Sequence, residues 1–213
     1  MKYCALCLVS LLVLPGCAPE ESSHSSAPQP APVSSAPAPV PTKAVPPAVP
    51  EASARLSREA LAAYGAGDSE SALRLAEEAL AASDVNYEAL ALKGLVTAFD
   101  GAPDEGTALI ERSLALYPDY VQGYYDLAMA QKLGGRYEAS IASFRRVLDA
   151  DPQNVWSLYG IATNYADLRD RERALSYLRQ AAALDPAHVK PEAAAQDHFQ
   201  WLHGDAEFDA LVR

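Results

Sequence analysis

The most constraining feature of this sequence is a repeat of 34 residues that runs from residue 53 to residue 188. Prolines mark one column of the repeat, at Pro118, Pro152 and Pro186, and glycines mark another, which Arg169 interrupts in the last unit. Self-similarity at this period is typical of stacked supersecondary units. Three further columns hold small side chains, at Ala60, Gly94, Ala128 and Ala162, at Ala72, Gly106, Ser140 and Ala174, and at Ala79, Ser113, Val147 and Ala181.

Each unit is predicted to be a pair of antiparallel helices. Small residues at a helix crossing let two backbones approach closely, while large neighbours fill the grooves on either side. A glycine at a helix end adopts the left-handed conformation that closes the turn, and a proline cannot continue the preceding helix. In the third unit, for example, the helices should run over residues 121–133 and 137–150 and meet at Gly134 and Gly135.

This pattern resembles the tetratricopeptide repeat (TPR), in its period, its small-residue columns and its terminal proline. The resemblance implies an all-α fold, a right-handed α-solenoid of four helix-turn-helix units at 53–86, 87–120, 121–154 and 155–188. The first unit is the weakest match, because it lacks the proline and has Ala76 where the others have a bulky residue. Residues 189–213 keep an apolar stripe at Phe199, Leu202, Phe208 and Leu211 and are predicted to cap the solenoid.

The N-terminus is predicted to be a secretory signal. Residues 1–16 have a basic residue near the start, continue as an apolar run and end in small residues, and the apolar run is too short to span a membrane. The segment that ends at Cys17 resembles the lipobox of bacterial lipoproteins, which implies lipidation of Cys17, although Pro15 departs from the usual pattern. The alternative is ordinary cleavage, which would release a secreted protein.

Residues 17–50 are predicted to form an extended tether. Ten prolines lie among residues 18–50, and they exclude both helix and sheet. At about 3.1 Å per residue such a segment reaches roughly 100 Å. A spacer is the simplest role, and a ligand for a Pro-rich-motif module or an attachment to cell wall is the alternative.

Composition and motifs exclude several functions. The chain carries 28 acidic and 17 basic residues, a net charge of −11, so a nucleic-acid partner is not expected. None of the common catalytic motifs is present, and we expect neither enzyme activity nor a cofactor. His198 and His203, with Asp197 and Asp205 nearby, lack the spacing of a strong metal site, so surface or capping roles are favoured.

The binding surface is predicted from the resemblance, which implies that the first helix of each unit lines a concave groove. Aromatic side chains concentrate there in the last two units, and their large area suits recognition of a peptide or a partner helix. Packing between units is the alternative role. The predicted groove residues are Gln122, Tyr125, Met129, Trp156, Tyr159 and Thr163.

A subclass of the family clamps an acidic C-terminal carboxylate with basic residues on this inner face. The corresponding positions here are Ser57, Leu61, Leu92, Gln122 and Asp126, and none carries a positive charge. A carboxylate clamp is therefore not expected.

Together these features predict a non-catalytic scaffold of the bacterial cell envelope that is lipid-anchored through Cys17 and binds a protein or peptide partner. Ala18 resembles the sorting pattern of outer-membrane lipoproteins, which implies a periplasm-facing location in an organism with two membranes. The alternative is a receptor for a small molecule or a glycan that uses Tyr125, Trp156 and Tyr159 as a stacking platform.

Overall fold

The computed structural model describes residues 43–213, and the signal segment, Cys17 and most of the tether lie outside these residues. Residues 43–213 form helices and connecting turns without a strand, which confirms the predicted all-α solenoid. No helix in this range has the length and apolar character needed to cross a membrane. The repeat helices are α1 (Glu51–Gly65), α2 (Ser69–Ala82), α3 (Tyr87–Phe99), α4 (Pro103–Leu116), α5 (Val121–Leu133), α6 (Tyr137–Ala150), α7 (Val155–Asp167) and α8 (Arg171–Leu184).

Polar side chains and turn geometry define where the helices begin. Asp68, Asn86, Asn154 and Asp170 each accept a hydrogen bond from a backbone N–H in the first turn of the following helix, which satisfies a donor that the helix itself leaves unpaired. The described end of the tether, residues 43–50, has no regular secondary structure, and α1 begins directly after Pro50, two residues before the predicted unit.

The turns inside the units share one backbone conformation. Gly67, Gly101 and Gly135 have φ values of 81°, 96° and 70°, the region that glycine adopts without a steric penalty. Arg169, which interrupts the glycine column in the sequence, has a φ of 60° at the same point of its turn. Its guanidinium lies 5.1 Å from the centre of the Trp201 ring, an attractive contact that accompanies the unfavourable backbone.

The small-residue columns are where helices touch, as their spacing predicted. A Cβ atom added to Gly94 on α3 would lie 2.6 Å from the carbonyl oxygen of Gly106 on α4, so these two backbones are in direct contact. All members of the three columns are buried. Between units, the ring of Phe144 on α6 lies against Gly160 on α7, where a Cβ would approach it to 2.5 Å.

A buried polar network joins the first two units. The Asn86 side-chain amide donates to the hydroxyls of Ser53 and Ser57 at 2.8 and 2.7 Å, and Ser53 donates to the carbonyl of Ala79 at 2.6 Å. Buried polar groups are tolerated when they are paired in this way. The network therefore compensates for the weak repeat pattern of the first unit by fixing α1 against both neighbouring helices.

The C-terminal cap consists of three short helices. They are α9 (Pro186–Ala195), a 3-10 helix (Asp197–Leu202) and α10 (Ala206–Val212). Phe199, Leu202 and Phe208 of the predicted stripe are buried, and Leu211 is half-buried. Trp201 donates from Nε1 to the carbonyl of Ala166 at 3.1 Å, which agrees with its predicted packing against the last unit.

The fourth unit ends differently from the two before it. At Pro118 and Pro152 the proline begins a short connection, whereas Pro186 is the first residue of α9. The side chain of Asp185 accepts a hydrogen bond from the backbone N–H of His188 and thereby caps α9. Asp185 is the one residue between the end of α8 and the start of α9. The cap therefore begins at residue 186, within the range predicted for the fourth unit.

Gly94→Ala should destabilise the fold by about 1 to 3 kcal/mol, because its methyl group has no room against Gly106. Thermal unfolding followed by circular dichroism measures the effect. Gly134→Ala is the matched control, since its φ is −80° and its Cβ would meet nothing closer than 3.5 Å. Equal melting temperatures for the two variants would contradict the close α3–α4 contact.

Candidate functional site

The first helices of the first three units lie side by side, because α3 lies against both α1 and α5. Clefts open along the first helices, and two of them together contain all six predicted groove residues. The N-terminal cleft has a volume of about 320 Å³ and lies between α1, α3 and α5, together with the turn before α5. Its lining residues are Ser57, Arg58, Leu61, Tyr64, Glu88, Leu92, Leu95, Tyr120, Gln122 and Asp126.

The five positions that correspond to a carboxylate clamp all line the N-terminal cleft. Arg58 is the one basic side chain among the lining residues, and it is exposed and paired with Glu51 at 2.6 Å. The cleft therefore presents to an acidic C-terminus a single basic side chain that is already paired.

Asp126 is the most unusual residue of the N-terminal cleft, because its carboxylate is buried although the side chain lines the cleft. It is 5% exposed, and its Oδ1 accepts a hydrogen bond of 2.8 Å from Gln122 Nε2. Burial raises the pKa of the Asp126 carboxyl to about 7, since it disfavours the charged form. The same charge, added to their own burial, raises the pKa of the Tyr64 and Tyr120 hydroxyls.

The C-terminal cleft has a volume of about 260 Å³ and lies between α5, α7 and the cap. It contains five of the six predicted groove residues, while the sixth, Gln122, lies in the N-terminal cleft. The residues that line it are Tyr125, Met129, Lys132, Phe144, Trp156, Tyr159, Gly160, Thr163, Glu192, Gln196 and His198.

The predicted groove residues differ in exposure. Trp156 is 44% exposed, whereas Tyr159 is 8% exposed and meets Trp156 edge-on, with ring centres 5.8 Å apart and planes at 83°. Tyr125 and Met129 are half-buried, and Tyr125 packs edge-on against Phe144. A flat platform of three stacked aromatic faces is therefore not the geometry of this cleft.

The polar groups of the C-terminal cleft differ in burial, since Thr163 and Tyr159 are buried whereas Lys132 is half-buried. Thr163 is buried, donates to the carbonyl of Gly160 at 2.9 Å and accepts from Lys132 Nζ at 2.5 Å. Burial lowers the pKa of the Lys132 ammonium to about 8, an effect that the charge of Asp167 partly offsets. Within residues 43–213 the buried hydroxyl of Tyr159 has no hydrogen-bond partner. The cleft can thus both donate to and accept from a polar ligand.

Several lining residues were not predicted from the sequence. Lys132 lies three residues beyond Met129 and therefore on the same helix face, so helical spacing could have identified it. Glu192, Gln196 and His198 come from the cap, which was assigned a purely structural role. His198 Nδ1 lies 2.7 Å from Asp167 Oδ1, and residues 43–213 contain no group of three side chains suited to hold a metal ion.

Comparison with protein families agrees with this fold. Residues 98–155 match one model of the tetratricopeptide repeat and residues 157–188 match a second. The chain therefore carries tetratricopeptide repeats in these two segments. Two curated relatives share short regions with it: Protein CTR9 homolog from Arabidopsis thaliana, 34% identical over 68 residues, and Tetratricopeptide repeat protein 37 from Xenopus laevis, 26% identical over 142 residues.

These relatives are much longer proteins. The matches cover 32% and 64% of this chain but only 6% and 9% of the relatives. The likeness therefore concerns the repeats and not the whole relatives.

Solved structures show the same fold at low sequence identity. MamA from Desulfovibrio magneticus RS-1 has a TM-score of 0.57 at 18% identity, over 77% of this chain and 95% of that one. YrrB, described as a TPR protein with an unusual peptide-binding site, has a TM-score of 0.56 at 20% identity, over 68% and 75%. An O-GlcNAc transferase mutant from Thermobaculum terrenum has a TM-score of 0.58 at 24% identity, over 62% of this chain but only 26% of the transferase.

The raised pKa of Asp126 makes a prediction about stability. The folded chain keeps this proton up to about pH 7, whereas the unfolded chain loses it near the ordinary value of 3.8. The folded state thus binds more protons between these values, and this contribution to stability falls as the pH rises through them. Asp126→Asn cannot ionise, so its melting temperature should exceed that of the unsubstituted chain by a margin that grows up to about pH 7 and then levels off.

Thermal unfolding from pH 4 to pH 8 tests this prediction. Asp149→Asn, which removes a carboxylate from the exposed side of α6, is the matched control and should show no such trend. A margin for Asp126→Asn that does not change with pH would mean that the carboxyl titrates normally.

Proposed function

We propose that this chain is a non-catalytic scaffold that binds a peptide segment of a partner protein along its concave face, with the C-terminal cleft as the anchor. The observation that carries the proposal is the exposed Trp156 in a cleft that also contains the half-buried Tyr125 and Met129. An exposed aromatic side chain gives contact area, and partly exposed apolar neighbours add to it.

The tetratricopeptide repeats support a protein-interaction role, since stacked repeats create extended concave binding surfaces. The description of YrrB as having a peptide-binding site is said of that protein, but it is consistent with the same use of the fold here. The chain has no catalytic motif in its sequence, and its likeness to the transferase extends over only 26% of that enzyme.

The cellular location is part of the proposal. The N-terminal signal and the lipobox-like segment before Cys17 favour a lipid-anchored envelope protein, which faces the periplasm from the outer membrane in an organism with two membranes. The Pro-rich tether would hold the repeats away from the bilayer, where the concave face can reach envelope proteins and assist assembly of their machinery. Secretion without an anchor is the outcome if Cys17 is not modified.

A partner protein is favoured over a glycan or another small molecule. A sugar-stacking platform needs open ring faces, and Tyr159 presents little more than its edge to Trp156. A saturable thermal shift with envelope glycans that is lost in Trp156→Ala would reverse this preference.

Trp156→Ala should weaken capture of the partner by about tenfold or more, because it removes an exposed anchor without leaving a core cavity. Native-envelope crosslinking and pull-down of the full-length chain measure capture. Phe99→Ala, which removes an exposed aromatic outside both clefts, is the matched control. Tyr159→Phe removes only an enclosed hydroxyl and should leave both capture and folding unchanged. Equal capture by all variants would move the binding site elsewhere.

Cys17→Ser should release the chain from membranes, because it removes the atom that would receive the lipid. Fractionation of cells into membrane and soluble parts, followed by immunoblotting, measures the effect. Cys7→Ser is the control, since Cys7 lies inside the predicted signal. Membrane retention of the Cys17 variant would contradict the anchor.

A further inference from the structure

The N-terminal cleft is chemically different from the C-terminal cleft. Three leucines, Leu61, Leu92 and Leu95, are among its lining residues, and Leu61 is 60% exposed although it is large and apolar. On the α5 side the lining includes the buried carboxylate of Asp126. Aliphatic side chains beside a carboxylate suit a ligand side chain with a long stem and a charged tip.

The charges that face this cleft favour a positive ligand. Glu88 on α3 is half-buried and adds a second carboxylate to that of Asp126. Arg58 on α1 is engaged by Glu51, and the remaining ionisable lining groups are the hydroxyls of Tyr64 and Tyr120, whose raised pKa keeps them neutral. The lining therefore presents two carboxylates against one basic group that is already paired.

Asp126 is also incompletely satisfied. Gln122 donates to Oδ1, and within residues 43–213 no hydrogen-bond donor reaches Oδ2. Oδ2 is also not among the fully enclosed polar atoms that lack a partner, so it can be approached from the cleft. A carboxylate can accept several hydrogen bonds, and those from a charged donor are the strongest.

We propose that the N-terminal cleft binds the cationic side chain of a lysine or arginine in the bound peptide, with Asp126 as its counter-charge and the three leucines around its aliphatic stem. This subsite rests on the proposed peptide binding, but it is separate from the aromatic anchor in the C-terminal cleft.

The physical chemistry of the pair agrees with the assignment. Lysine and arginine bury their methylene stems along apolar surface while the charged group reaches a polar partner. A buried carboxylate without a counter-charge is unfavourable, so a cation that enters the cleft removes that penalty. Near neutral pH part of the Asp126 population is protonated, and binding of a cation should therefore release a proton.

Fluorescence anisotropy with the full-length chain at pH 8 tests the subsite. The probes are three fluorescein-labelled nonapeptides with identical alanine and leucine flanks and a central lysine, norleucine or glutamate. We expect the lysine peptide to bind at least tenfold more tightly than the norleucine peptide, and the glutamate peptide to bind most weakly. Asp126→Asn should abolish the preference for lysine, whereas the control Asp149→Asn should keep it.

Proton release provides a second readout. Isothermal titration calorimetry in two buffers of different ionisation enthalpy should show release of a proton for the lysine peptide at pH 6.5 and none for the norleucine peptide. The lysine affinity should rise between pH 6 and pH 8 by up to about tenfold per pH unit below the Asp126 pKa.

The outcomes separate this subsite from the proposed function. Equal binding of the lysine and norleucine peptides, or a lysine preference that survives Asp126→Asn, overturns the cation subsite and leaves peptide binding on the concave face intact. If no peptide binds, the subsite is overturned as well, and capture by Trp156→Ala decides separately whether the groove proposal stands. Asp126→Asn should remain folded, since an amide avoids the cost of burying a charge.

Discussion

Direct backbone contact between helices is the constraint on which the rest of this structure depends. Gly94 and Gly106 leave no room for a Cβ between α3 and α4, and the ring of Phe144 fills the space that Gly160 leaves open on α7. Interiors are packed at the density of organic crystals, so a crossing of this kind leaves no room for an added methyl group unless the helices move. Because the same columns recur every 34 residues, one local geometry is repeated along the chain and generates a solenoid.

The repeated crossing also determines where function can lie. The first helices of the units use one side for their partners within and between units, which leaves another side to line the clefts. Helix α5 illustrates the division, since Ala128 is buried in the core while Asp126 and Lys132 line the two clefts. Asp126 is buried and Lys132 is half-buried. Burial favours the neutral form of each group, so it raises the pKa of the Asp126 carboxyl to about 7 and lowers the pKa of the Lys132 ammonium to about 8. Carboxylates and ammonium groups at such positions are costly to the fold, and a ligand of opposite charge would offset that cost.

The sequence was sufficient to predict the helices, because the pattern that it carries is the packing pattern itself. The predicted helices of the third unit coincide with α5 and α6, and the small-residue columns are buried.

The sequence was less informative where tertiary contacts determine the conformation or the burial of a residue. Arg169 adopts the glycine conformation with a φ of 60°, in a turn that also places it over Trp201. Helical spacing correctly aligned Trp156, Tyr159 and Thr163, but only the packing of the cap shows that Tyr159 and Thr163 are buried, since Phe199 of the 3-10 helix meets the Tyr159 ring at 6.0 Å. Glu192, Gln196 and His198 also line the C-terminal cleft. Their position there could not be predicted, because the cap has no repeat pattern that aligns it with the other units.

The two charged groups of α5, Asp126 and Lys132, would favour one orientation of a bound peptide over the reverse. Asp126 and Lys132 are six residues apart, which corresponds to about 9 Å along a helix. An extended peptide advances about 3.3 Å per residue, so a ligand that reaches both groups needs a cation and a hydrogen-bond acceptor about three residues apart. A peptide in the reverse orientation would bring its acceptor to Asp126 and its cation to Lys132, and both contacts would be repulsive or unsatisfied.

Electrostatics of this kind discriminates between partners and orientations more than it adds affinity, whereas the exposed Trp156 supplies contact area for any apolar side chain. Under the proposed peptide binding, the aromatic anchor would therefore hold a peptide, and the charged pair would select its sequence and its orientation.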